Sequence, residues 1–152
     1  MSRNSSLVYN KDMLKYGVGR DIDLGIFLLR VGFGFSMLIF HGYGKLIGGP
    51  DKWAKLGNSM QTFGIEFYPV FWGFMAAFAE FFCSAFIIAG IFFLPATFFL
   101  SINMIVAVLF HLYLPEDSPG AGWQGASNAI EYLFAYVALM ISGPGKYKIN
   151  LG

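Results

Sequence analysis

Residues 30–45 read RVGFGFSMLIFHGYGK and sit inside an apolar run from about Leu24 to Ile47. A run of that length crosses a bilayer as one helix, since ~20 residues rising ~1.5 Å each span the hydrocarbon. Yet it carries Arg30, His41 and Lys45. Steps of 11 and 15 residues from Arg30, at roughly 100° per residue, bring all three to nearly one helix face, with Gly34 and Leu38 between them. One side of this helix is therefore expected to be polar. A charge at mid-membrane costs about 3 kcal/mol on insertion scales, so that side should face protein, a paired charge or a water-filled cavity.

The rest of the chain supports a membrane reading. Of 152 residues, 57% are hydrophobic, 12% are charged and 18 are Phe, and the mean hydropathy is +0.60. A soluble domain of this size needs far more polar surface, so the class is one integral membrane domain. A net charge of +1 without a basic tract supplies no phosphate contacts, which sets nucleic acid aside as a partner. The single cysteine, Cys83, lies in an apolar run. It excludes an internal disulfide or a dithiol shuttle within the chain and reads as inert core.

In chain order, residues 1–23 are polar and lack the pattern of a cleavable signal, so they are expected to remain as a cytoplasmic tail. The first span covers about 24–47, and its glycines read as helix packing. In the segment that follows, Trp53, Leu56, Met60 and Phe63 recur at steps of three and four. This predicts a short interfacial helix, with Asp51 as its cap and Gly64 as its stop. A second span, about 71–93, is interrupted by Glu80 near its middle; Gly73, Ala77, Ala85 and Ala89 form a small-residue stripe. A short link around Pro95 leads to a third span, 96–114, which contains Asn103 and His111. PEDSPGAGWQGAS reads as an exposed loop before a fourth, shorter span at 129–141, and residues 143–152 form a C-terminal tail.

The expected architecture is thus all-α, an integral membrane four-helix bundle of residues 24–142 with both termini on one side. That side holds Arg3, Lys11, Lys15, Arg20, Lys146 and Lys148 against Lys45, Lys52 and Lys55 opposite, which places the termini in the cytoplasm. His41, Lys45, His111 and Glu131 then approach the outer boundary, while Arg30, Glu80 and Asn103 lie deeper. Arg30 and Glu80 are within reach of one another as a buried ion pair. Lys45 reads either as a snorkelling lysine or as part of a pocket mouth. Asn128-x-x-Glu131 reads as a capping box or as pocket lining. Two histidines on different helices suit a metal or haem, a proton relay or a quinone carbonyl, and no metal site is assigned.

The order R-x10-HG-x2-K, a mid-span Glu with Gly90 ten residues on, an acidic residue opening the last helix and a closing GPGKY resembles the DoxX family. The matching positions are Arg30, His41, Gly42, Lys45, Glu80, Gly90, Glu131, Gly143, Gly145 and Tyr147. The ending departs from the usual pattern, since KYKIN follows where an acidic residue is common. The resemblance implies a small four-helix protein of a prokaryotic cytoplasmic (inner) membrane, in some members a subunit of a thiosulfate:quinone oxidoreductase.

The leading functional expectation is an outward-opening polar pocket, formed by Arg30, His41, Lys45, Glu80, Asn103, His111 and Glu131, for a quinone headgroup or a small anionic substrate. Glu80 would exchange protons with a quinol. No covalently bound cofactor is expected, and electron transfer would fall to a partner oxidoreductase, so the chain is not read as an enzyme alone. The alternative is a purely structural or assembly subunit of a larger redox complex. A homo-oligomer or a protein partner is expected beside membrane lipid. A transporter or channel fits less well, because no broken-helix repeat pair is visible.

Overall fold

The apolar runs fold into helices because a backbone leaving water must satisfy its own hydrogen bonds. In a computed structural model that describes residues 21–149, every element is helical. The first, α1 (Ile22–Leu46), is followed by α2 (Gly49–Gly57) with a 3-10 continuation (Asn58–Phe63). Then come α3 (Pro69–Ala89), α4 (Phe93–Tyr113) and α5 (Gly122–Ser142). Among the described residues, α1, α3 and α4 are long and apolar enough to cross a membrane. Helix α5 is as long as α3 and α4 but opens on the polar stretch GWQGASN. Residues 1–20 and 150–152 of the expected tails lie outside the described residues.

Two of the long helices change pitch in the middle. Met37–Gly42 of α1 and Ala79–Cys83 of α3 are π-helical, and the two segments lie against each other. A π segment inserts about one residue into the ladder and so turns everything beyond it by roughly 100°. The approach at their crossing is possible because Gly42 has no side chain. A Cβ there would come within 2.6–2.7 Å of the Glu80 backbone.

Around this crossing the core is built from Met37, Cys83, Ile87, Leu100, Met104, Tyr136 and Leu139. Helices α4 and α5 pair along their lengths, α2 packs on the start of α3, and α1 packs on its end. The small-residue stripe is thereby divided. Gly73 and Ala77 are buried, and Gly73 abuts the Trp53 backbone of α2, whereas Ala85 and Ala89 are half-buried. Buried Thr97 and Ser101 bond the carbonyls of their own helix, which removes them from the interhelical polar chemistry. Large apolar side chains such as Phe40, Phe98, Phe134 and Ile141 point outward, a surface suited to hydrocarbon.

Several boundaries differ from the sequence reading. The α3–α4 link is Gly90–Phe92, and Pro95 lies inside the first turn of α4, where a missing N–H leaves no helix bond unmade. Gly90 ends α3 at φ +74°, and its N–H bonds the Phe86 carbonyl at 2.8 Å. Helix α5 begins at Gly122, so the loop ends at Ala121 and Asn128 and Glu131 stand inside the helix, not in a capping box. Asp51 sits in the first turn of α2 behind Gly48 and caps nothing with its side chain. Gly64 does stop its segment, in the left-handed conformation at φ +74°.

The contacts of Gly42 generate a test. Gly42→Ala should lower stability by about 1–3 kcal/mol, the range for overpacking a closed core, in reversible unfolding in detergent. Gly32→Ala, on the same helix with open space around it, should leave the midpoint unchanged or raise it.

Candidate functional site

Glu80 lies in the π segment of α3 and is 3% exposed. A carboxylate buried to that extent requires donors. Lys45 Nζ donates to Oε1 at 2.5 Å and Asn103 Nδ2 donates to the same oxygen at 2.9 Å. Three helices therefore meet on one atom. The partner of Glu80 is Lys45, not Arg30, which corrects the expected ion pair and the reading of Lys45 as a free snorkelling lysine. The α1 π segment accounts for the exchange, because it rotates Lys45 relative to the direction that a regular helix from Arg30 would give it. Trp53 Nε1 donates to the Lys45 carbonyl at 2.8 Å, fixing the end of α1 against α2.

Arg30 is 1% exposed and serves a different structure. Its Nε donates to the Ile87 carbonyl at 2.9 Å and its Nη2 to that of Ile88 at 2.8 Å. Its Nη1 donates to the carbonyls of Pro144 and Tyr147, both at 2.6 Å. One guanidinium thus ties the open end of α3 to the segment after α5. The GPGKY stretch is the turn that presents those last two carbonyls, and Ile149 N–H closes it on the Ala89 carbonyl at 3.0 Å. Gly90 faces the same guanidinium; a Cβ there would stand 2.5 Å from Nη2. Lys146 pairs with Asp21 at 3.1 Å, which holds its ammonium above the ordinary lysine value.

His41, which stands on α1 between Arg30 and Lys45, faces α5. Its ring meets that of Tyr132 edge-on at 5.5 Å, and the Tyr132 hydroxyl shares a 2.6 Å hydrogen bond with Ser36. Between α1 and α5 these residues line a cleft of about 380 Å³ together with Leu28, Leu29, Phe33, Asn128 and Glu131. His111 is not brought there. Its Nδ1 donates to the Gly120 carbonyl at 2.7 Å and steadies the α4–α5 loop. The single polar pocket expected from the sequence is therefore divided: His41 and Glu131 line the cleft, Lys45, Glu80 and Asn103 form a buried knot, and Arg30 and His111 hold chain segments.

The segment 25–112 matches the family model described as DoxX, over more than half of the chain. The chain belongs to the DoxX family. With its apolar helices, that membership makes it a multi-pass membrane protein of a redox-related family. No curated protein and no solved structure matched the chain. The DoxX match contains the Arg30, His41, Lys45, Glu80, Asn103 and His111 positions, while Glu131 and the GPGKY turn lie beyond it.

Sequence reasoning overlooked Ser36 and Tyr132, which bond each other in the cleft, and Ser84 and Tyr136, which are fully buried in this DoxX protein. Tyr132 and Tyr136 stand four apart on α5, so their rings share a face and stack at 5.9 Å and 30°. A pair of phenols at that spacing inside an apolar span was the available signal. Among the described residues, no group of three or more His, Cys, Asp or Glu is placed to hold a metal ion.

The carbonyl cluster around Arg30 predicts that Arg30→Ala destabilises the protein by at least ~3 kcal/mol, since several charge-assisted hydrogen bonds are lost together. Amide hydrogen exchange should show residues 145–149 released first. Protection of those amides equal to that of the parent protein would contradict the role of the guanidinium as a staple.

Proposed function

We propose that this protein is the membrane subunit of a redox system, binds a quinone headgroup in the cleft between α1 and α5 and couples it to a partner oxidoreductase. The observation that carries the reading is the lining of the cleft. His41 offers an imidazole, Tyr132 and Ser36 a hydroxyl pair, and Asn128 an amide, over the apolar walls of Leu28, Leu29 and Phe33. A mostly apolar cleft with a few convergent polar groups suits a small aromatic ligand with carbonyl acceptors, and its volume lies within the usual range for such sites. The small anion is the weaker candidate. The Glu131 carboxylate lines the cleft, and Lys45, the cation expected to attract an anion, is committed to Glu80.

The remaining parts of the proposal follow from the membrane setting. Helix α5 makes the fourth crossing, closing a four-helix bundle in a prokaryotic cytoplasmic membrane with both termini inside. Residues 143–152 then share the cytoplasmic side with residues 1–23, and the cleft opens laterally, where an isoprenoid tail would lie in the bilayer. Electron transfer is assigned to the partner because the chain has one cysteine and no second thiol to pair with it.

Calorimetric titration of the purified protein with a short-chain quinone tests the cleft. His41→Ala should weaken binding about tenfold, ~1.4 kcal/mol, the contribution of one hydrogen bond. Glu131→Leu should abolish any preference for the quinol over the quinone. Binding that is unaltered in a folded His41→Ala protein would move the ligand elsewhere.

A further inference from the structure

Half of the small-residue stripe on α3 serves helix packing, since Gly73 and Ala77 are buried. The other half, Ala85 and Ala89, stays half-buried and lines a second cavity, of about 630 Å³, between α1, α3 and the turn after α5. Its walls are Phe27 and Leu38 of α1 with Ala85, Ile88 and Ala89 of α3, and it shares no lining residue with the α1–α5 cleft. Phe27 and Leu38 stand 11 residues apart, so the groove follows α1 for roughly 16 Å, about half the thickness of a hydrocarbon core. Lys146, Tyr147 and Lys148 complete its lining. The Phe27 ring lies 5.7 Å from that of Tyr147, which puts the two lysines at the Phe27 end.

That end is positive. Lys146 is held by Asp21 at 3.1 Å and Asp23 at 3.7 Å. Among the described residues, Arg30 and Lys148 pair with no carboxylate. They stand close together, since a Cβ on Gly90 would meet Arg30 Nη2 at 2.5 Å and Lys148 Cβ at 2.7 Å. Three cations against two carboxylates leave one positive charge in excess. A free inorganic anion would answer that charge and leave the apolar walls bare, whereas a neutral lipid would cover the walls and leave the charge. We infer that the groove binds one anionic phospholipid, its phosphate at Lys148 and an acyl chain laid along the α1 and α3 walls toward Leu38. Basic residues at the mouth of a groove between membrane helices recognise anionic headgroups in this way. Ala85 and Ala89 act by being small, which leaves depth for a methylene chain. The bound lipid contacts the same turn that the Arg30 guanidinium docks.

Native mass spectrometry of the full chain in detergent, titrated with dioleoyl phosphatidylglycerol or with zwitterionic dioleoyl phosphatidylethanolamine, tests the site. One phosphatidylglycerol per chain should bind at least about fivefold more tightly than phosphatidylethanolamine, and Lys148→Gln should remove about fivefold of its affinity, the weight of one lysine at a charged membrane surface. Lys55→Gln, at an exposed lysine of α2, should change nothing. Ala85→Leu should weaken both lipids by filling the groove, and Ala89→Leu gives the same reading where Ala85→Leu does not fold. Equal affinity for the two lipids overturns the inference, as does a Lys148→Gln protein that binds phosphatidylglycerol like the parent. An equal loss in Lys55→Gln would reduce the effect to net charge, and displacement of the lipid by excess inorganic phosphate would make the site one for a plain anion; either result overturns it. Folded leucine variants with unaltered binding would place the lipid elsewhere and overturn it as well.

Discussion

A carboxylate in the middle of an apolar bundle must be met by donors from its neighbours, and the packing of this protein is arranged to supply them to Glu80. Lys45 and Asn103 approach one oxygen from two different helices. For Lys45 to arrive there, α1 must cross α3 at close range, which the missing side chain of Gly42 permits. Both helices are π-helical at the crossing. Such segments interrupt the regular ladder and are found where a side chain has to be aimed against the run of the helix. The desolvation of the pair means that its value is not read as net stability. What it secures is register, because a slip of either helix would leave a charge buried without a partner.

A second charge is satisfied by a different means. Arg30 meets no carboxylate; its donors go to four backbone carbonyls, two at the end of α3 and two in the turn after α5. Helix ends leave carbonyls without intrahelical partners, and a guanidinium with donors in a rigid fork is shaped to collect several of them. The result is that the far end of the chain is docked against the first helix. The two cations of α1 thus divide the structure, one fixing the interior crossing and the other fixing the end of the bundle.

Between them, the face of α1 that turns toward α5 is free to take part in binding. The cleft and the knot are separate compartments: Ser36 and Tyr132 bond each other in the first, and Lys45 and Asn103 bond Glu80 in the second.

Hydrophobic run length and composition determined by themselves that the chain is a helical membrane protein, because lipid permits so few backbone solutions. They also placed α1, α3 and α4 within a few residues, the short helix α2 with its stop at Gly64, and the polar residues that must be accounted for. Tertiary structure decided which of those residues meet. Helical periodicity put Arg30, His41 and Lys45 on one face, yet the inserted π turn and the close crossing at Gly42 sent them to three different surroundings. It also decided that Glu131 stands within α5 beside a cleft, because the helix begins a turn and more before the residues that resemble its cap. Ser84 and Tyr136 were invisible for a related reason. Singly, a serine and a tyrosine in apolar helices read as ordinary packing, and only the tertiary structure shows that both are fully buried.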